Sequence, residues 1–129
     1  MQDELLMKIR VACSEPVSVV GQSRTIVMIP FTGEASGPYF NGSVIGPGVD
    51  TQKISGDGIA FLSARYMLEG KDSAGNTCRV FVENQGSFET GFTPSVVTDS
   101  PVLADWETAD LCATAEGIPE GVMISIYRK

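Results

Sequence analysis

The chain has 129 residues, a formal charge of −7 and no histidine; 43% of its residues are hydrophobic and 19% charged. That length and apolar content predict one soluble globular domain over residues 1–129. The missing imidazole excludes a Ser-His-Asp triad, a Cys-His pair and any histidine metal site, and so acidic a chain lacks the clustered Lys and Arg that nucleic-acid binding needs.

In chain order, the first predicted strand is Glu4 to Cys13, where Leu5, Met7, Ile9, Val11 and Cys13 alternate with Glu4, Leu6, Lys8, Arg10 and Ala12. Val17 to Val20 and Thr25 to Phe31 follow, separated by Gly21-Gln22-Ser23. The run Ile26-Val27-Met28-Ile29 is apolar on both faces of a strand, which predicts that both sides are covered there. Tyr39 to Ile45 is a further strand, and Gly46-Pro47-Gly48 bends the chain into Val49 to Ile54. Ser55-Gly56-Asp57-Gly58 is a turn signal.

Ile59 to Gly70 is a long alternating strand. Ala60, Leu62, Ala64, Tyr66 and Leu68 share one face; Phe61, Ser63, Arg65 and Met67 share the other. Asp72-Ser73-Ala74-Gly75-Asn76 reads as a hairpin loop with Gly75 in the left-handed position, and Thr77 to Glu83 returns antiparallel. Gln85 to Pro101 reads as loops around short strands. Val102 to Cys112 fits a short helix and a strand equally well. Gly121 to Lys129 is a clean closing strand. Eight to ten strands with at most one or two short helices predict an all-β fold, a single antiparallel barrel whose closure removes exposed edges.

The absence of a continuous apolar run of ~20 residues argues against a transmembrane helix. The acidic start, Met1-Gln2-Asp3-Glu4, differs from a secretory signal, so a cytoplasmic protein is expected. Cys13, Cys78 and Cys112 are odd in number and lack C-x-x-C spacing; they are expected to be reduced, with no metal and no cofactor. Gly46-Pro47-Gly48 does not match a P-loop. The charge is asymmetric. Residues 1–79 carry eight acids and seven bases, whereas residues 80–129 carry eight acids and only Arg128 and Lys129.

The stretch Gly33 to Gln52, with its Pro47-Gly48-Val49-Asp50-Thr51-Gln52 block, followed by Ala64-Arg65-Tyr66, the Asp72–Gly75 hairpin and Val82-Glu83-Asn84-Gln85-Gly86, resembles the DUF3237, or UPF0311, family. The resemblance weakly includes Trp106. It implies a small calycin-like antiparallel barrel and no single established activity. The chain departs from the family pattern at Val49 and Thr51, where a second Gly and a Trp are common, and at Glu107, where an apolar residue is expected after Trp106.

Asp50 and Gln52 are two apart and share a strand face. If the faces bearing Arg65 and Glu83 also point inward, the lumen holds two carboxylates, an amide and a guanidinium. Asp50 and Glu83 are then the candidate catalytic residues, as general bases. Gln52, Arg65, Asn84 and Trp106 are the candidate ligand-binding residues, with Arg65 orienting an anionic or carbonyl ligand. The competing reading is that Arg65 pairs with Asp50 or Glu83 and braces a filled barrel. The expected function is small-molecule binding. It extends to proton transfer, addition–elimination or isomerisation on a small organic acid or carbonyl compound. The alternatives are a non-catalytic binder and an oligomeric structural protein. The expected partner is a small-molecule ligand, with neither nucleic acid nor membrane, and a homo-oligomer is left open.

Overall fold

The computed structural model describes residues 3–129; Met1 and Gln2, on which the reading of the chain start partly rests, lie outside the described residues. The chain forms nine strands: β1 (Glu4–Cys13), β2 (Val17–Val20), β3 (Arg24–Ser36), β4 (Phe40–Ser55), β5 (Ala60–Asp72), β6 (Thr77–Ser87), β7 (Gly91–Thr98), β8 (Leu111–Ile118) and β9 (Gly121–Arg128). One 3-10 turn, Ala104–Glu107, is the only helical element among the described residues. The ambiguous segment from Val102 to Cys112 therefore divides into that turn and the start of β8. No helix of the described chain is long and apolar enough to cross a membrane.

All neighbouring strands are antiparallel, in the order β1-β9-β8-β7-β6-β5-β4-β3-β2. β1 also pairs with β3, Cys13 opposite Phe31 and Lys8 opposite Ser36, which closes eight strands into a barrel. β1 and β2 share one edge of β3: β1 takes Phe31–Ser36 and β2 takes Thr25–Met28. β2 is thus an extra strand beyond the closed wall. The seam between β7 and β8 is the weakest, bridged only at Phe92 and Ala113. Pro94, which has no N–H to donate, lies in β7, and the 3-10 turn packs against that strand.

Alternation decides the interior, with one exception. A bulge between Leu5 and Met7 turns both Leu6 and Met7 inward, although Leu6 falls on the charged face by strict period two. At the end of the barrel where β1 and β8 begin and β9 ends, Phe40, Leu68, Leu103 and Trp106 fill the lumen. Asp72 pins the rim of that end. Its carboxylate accepts the N–H groups of Ala74 and Asn76 at 3.0 and 3.1 Å and the Ser100 hydroxyl at 2.7 Å. The Ser100 hydrogen bond, more than any other, holds the Asp72 carboxyl below the usual range. Gly75 adopts φ +84°, the left-handed position the hairpin requires.

β4 bends where Gly46, Pro47 and Gly48 stand opposite Tyr66 alone. Gly46 has φ +63°, and a Cβ at Gly48 would lie 2.6 Å from the Phe31 ring and 2.9 Å from Tyr66 Cβ. Gly48→Ala should therefore overpack this point and lower the unfolding free energy by about 1–3 kcal/mol, measured by urea denaturation. An unchanged midpoint and slope would show that the two rings yield freely.

Candidate functional site

Strand register sorts the candidate residues into two sets. Asp50 faces Ala64 and Gln52 faces Leu62 across β4 and β5, while Val49 faces Arg65 and Thr51 faces Ser63. Across β6, Ala64 continues to Asn84 and Arg65 continues to Glu83. Partners in register project to the same side of a sheet. The face with Leu62, Tyr66 and Leu68 buries far more apolar surface than the face with Ser63 and Arg65, so the first lines the lumen.

Two expectations are corrected by this parity. Arg65 is exposed on the outer wall, not in the lumen. Glu83, its partner in register, also lies on the outer wall, half-buried, and accepts a hydrogen bond from Gln85 Nε2 at 3.1 Å. A third expectation placed Trp106 over the ligand. Trp106 is instead buried in the filled end, its ring edge-on to Tyr39 at 6.3 Å between centroids, and it does not line the cavity. Its apolar bulk is drawn into the core by the 3-10 turn that carries it.

The other end of the barrel encloses a cavity of ≈ 200 Å³ lined by Asp50, Gln52, Tyr66 and Asn84 among apolar side chains. A cavity of about 150 Å³ holds a benzene ring, so this one suits a molecule of roughly that size. Phe31 packs edge-on to Tyr66 at 5.5 Å between ring centroids. At the mouth, exposed Phe88 packs edge-on to Phe92 at 5.3 Å, and both rings line the opening. Cys13 also lines the cavity, brought there by its register with the inward Phe31.

Three buried oxygens on three adjacent strands have no hydrogen-bond partner among the described residues: Asp50 Oδ1 on β4, Tyr66 Oη on β5 and Asn84 Oδ1 on β6. The second Asp50 oxygen, Oδ2, accepts Gln52 Nε2 at 3.0 Å. Burial pushes the Asp50 carboxyl above the usual range, and the Gln52 hydrogen bond pulls it part of the way back. Burial raises the Tyr66 phenol well above its ordinary value, so it stays a neutral hydroxyl. Burial and then the nearby Asp50 charge raise the Cys13 thiol. Among the described residues, no Lys or Arg lines the cavity. A shallower groove on the outer wall, with Lys8, Arg10 and Glu34, has none of these unpartnered buried oxygens.

Sequence reasoning reached Asp50, Gln52 and Asn84 but did not assign roles to Tyr66 or Cys13. The signal for Tyr66 was present: it sits on the more apolar of the two faces of its strand, the face that folding buries.

Folding favours the protonated form of Asp50, so the carboxyl contributes most below its ordinary value of 3.8, and that contribution is lost as pH rises through the higher folded value. Asp50→Asn should therefore be more stable than the parent at neutral pH, with the gap closing in acid, as read from denaturation midpoints across a pH series. The same substitution removes the charge beside Cys13 and should speed its alkylation in the native protein at a fixed alkaline pH. Buried Cys78 should stay protected until denaturation, when all three thiols react; mass spectrometry of the alkylated chain checks both.

The chain matches the family model described as "Protein of unknown function (DUF3237)" over residues 2–101. It is 33% identical over 91 residues to a UPF0311 protein of Clostridium acetobutylicum, an alignment covering 67% of this chain and 54% of that relative. The chain thus spans about half the length of that curated relative. The fold resembles a crystal structure of a protein of unknown function from Clostridium acetobutylicum, with a TM-score of 0.83 and 26% identity over 99% of this chain and 96% of the other. A protein of unknown function from Rhodopseudomonas palustris gives 0.82 at 19% identity, covering 98% and 96%. A protein from Penicillium herquei described as an enzyme gives 0.80 at 16%, covering 98% and 92%; at that identity the likeness is one of fold alone. The barrel, the matched family model and the curated relative together make this chain a member of the DUF3237 (UPF0311) family.

Proposed function

We propose that the barrel binds a small, uncharged, largely apolar carbonyl compound in its open end and moves a proton on it, with Asp50 as the proton carrier. The observation that carries this reading is the convergence of Asp50 Oδ1, Tyr66 Oη and Asn84 Oδ1 on one apolar cavity, buried and without partners. Buried polar atoms left unpaired are costly, and a ligand with matching polar groups removes that cost. An organic acid in its ionised form is disfavoured, because the lining supplies no cation to offset it beside Asp50. The three cysteines are free, which fits the reducing cytoplasm.

The chemistry follows from the residues. Ionised Asp50 takes a proton from the carbon next to the carbonyl. The C–H electron pair moves into the C–C bond, and the carbonyl pair moves onto oxygen. The neutral Tyr66 hydroxyl donates a hydrogen bond to that oxygen as its negative charge grows. Where the ligand carries a double bond between the β and γ carbons, Asp50 returns the proton at the γ carbon, an isomerisation. Where the β carbon bears a leaving group, the enolate pair re-forms the carbonyl, the α–β double bond forms as the group departs with its electron pair, and Asp50 gives that group the proton, an elimination. Gln52 holds Asp50 Oδ2, and Asn84 orients the far side of the ligand.

A thermal-shift screen of small ketones, enones and carboxylates tests the binding half: the uncharged carbonyl compounds should stabilise the protein and the carboxylates should not. With a hit that is turned over, Asp50→Asn should lower kcat by about 100- to 10,000-fold with binding largely kept. Tyr66→Phe should lower kcat by about 100- to 1,000-fold. Arg65→Lys and Glu83→Gln on the outer wall should change neither. Full activity in Asp50→Asn would reduce the protein to a binder, and selective stabilisation by carboxylates would overturn the ligand class.

A further inference from the structure

We infer that the free edge of β2 is covered by the same edge of a second copy of this chain, the two strands pairing antiparallel about a two-fold axis. The starting point is the run Ile26–Ile29, apolar on both faces. In the fold it lies where β2, β3 and β4 continue past the rim, because β1 leaves the edge of β3 at Phe31 and β2 takes over at Met28. One edge of β2 pairs with β3; the other has no strand partner among the described residues. Val17, Val19 and Val20 are 63%, 61% and 80% exposed, and Met28, opposite Val17, is 41% exposed.

That surface is unusual for a strand edge left in water. Proteins protect such edges by keeping the strand very short or with Lys, Pro, bulges or a covering segment, and of these β2 has only its shortness. Val17-Ser18-Val19-Val20 contains no charge and no proline, and it pairs with β3 without a bulge. β2 is short, and an interface of the usual size buries about 800 Å² from each partner. The edge contact is formed by Val17, Val19 and Val20 themselves, so a dimer held by this strand alone is of the small, readily dissociating kind.

Charge identifies the occupant as a second copy. Antiparallel pairing of identical strands is self-complementary. It sets Glu15, just before β2, against the turn that follows β2 in the other chain, where Arg24 of the partner subunit stands, and the two-fold axis repeats the contact. Glu15 and Arg24 are both exposed, and neither forms an ion pair among the described residues. Six of the seven net negative charges belong to residues 80–129, none of which lies in β2, β3, β4 or β5, so this pairing keeps most like charges apart.

Sedimentation equilibrium over a dilution series tests the pairing. The parent chain should show twice the 13.7 kDa of one copy. Val19→Lys should sediment at one copy's mass while its far-ultraviolet circular dichroism stays that of the parent. Glu15→Arg should weaken association about tenfold, since two symmetric surface pairs turn repulsive. The double variant Glu15→Arg with Arg24→Glu should restore it. A parent that stays at 13.7 kDa throughout would overturn the inference and leave the edge to a different partner. A dimer that survives Val19→Lys, or one that the double exchange fails to restore, would overturn the pairing.

Discussion

Where Gly46, Pro47 and Gly48 stand opposite Tyr66 alone, β4 bends, and the rings of Phe31 and Tyr66 come close over the space that a side chain at position 48 would need. The bulge sets three residues against one and so adds an even number to β4. Side chains alternate with period two, so the faces of β4 are preserved across the bend. An odd insertion would turn Asp50 and Gln52 to solvent and bring Val49 and Thr51 inside. The floor of the cavity and the direction of the Asp50 carboxylate thus depend on the same three residues.

The two ends of the lumen differ in how polar groups are satisfied. At the filled end, Asp72 has the Ser100 hydroxyl and the loop N–H groups around it, and its carboxyl is held low. At the open end, Asp50 has a single hydrogen bond, from Gln52, in a largely apolar cavity, and burial pushes its carboxyl up. The same residue type is a fully bonded structural pin in one place and a partly unpartnered, buried carboxyl in the other. Keeping a partly unsatisfied carboxyl in an apolar cavity costs stability, a cost commonly found where binding or catalysis occurs.

Placement of Arg65 outside the wall changes the electrostatic character of the cavity more than any other feature. A guanidinium beside Asp50 would have neutralised the site and suited an anion. Without it, the lumen carries only neutral donors and acceptors and a carboxyl whose charge is disfavoured by burial. That lining is the reason the proposed ligand is one of little charge with polar groups for Asp50, Tyr66 and Asn84.

Alternation and turn residues were enough, by themselves, to determine the all-β class, the long strand carrying Tyr66, the hairpin at Asp72–Asn76 and the shared face of Asp50 and Gln52, because these depend on neighbours a few residues apart. The run Ile26–Ile29 was likewise legible as apolar on both faces, but cover on both sides is not met within one chain, where Met28 stays 41% exposed. Which face of each strand turned inward was decided by tertiary structure. Arg65 and Glu83 form a consistent pair on one side of β5 and β6, and only the greater apolar burial of Leu62, Tyr66 and Leu68 on the opposite side sent them out. Trp106 could have covered a ligand or filled the core; the 3-10 turn packed against β7 put it in the core. Closure is the physical reason. A barrel interior is a competition among all faces at once for a limited volume, and no single strand carries that comparison in its own residues.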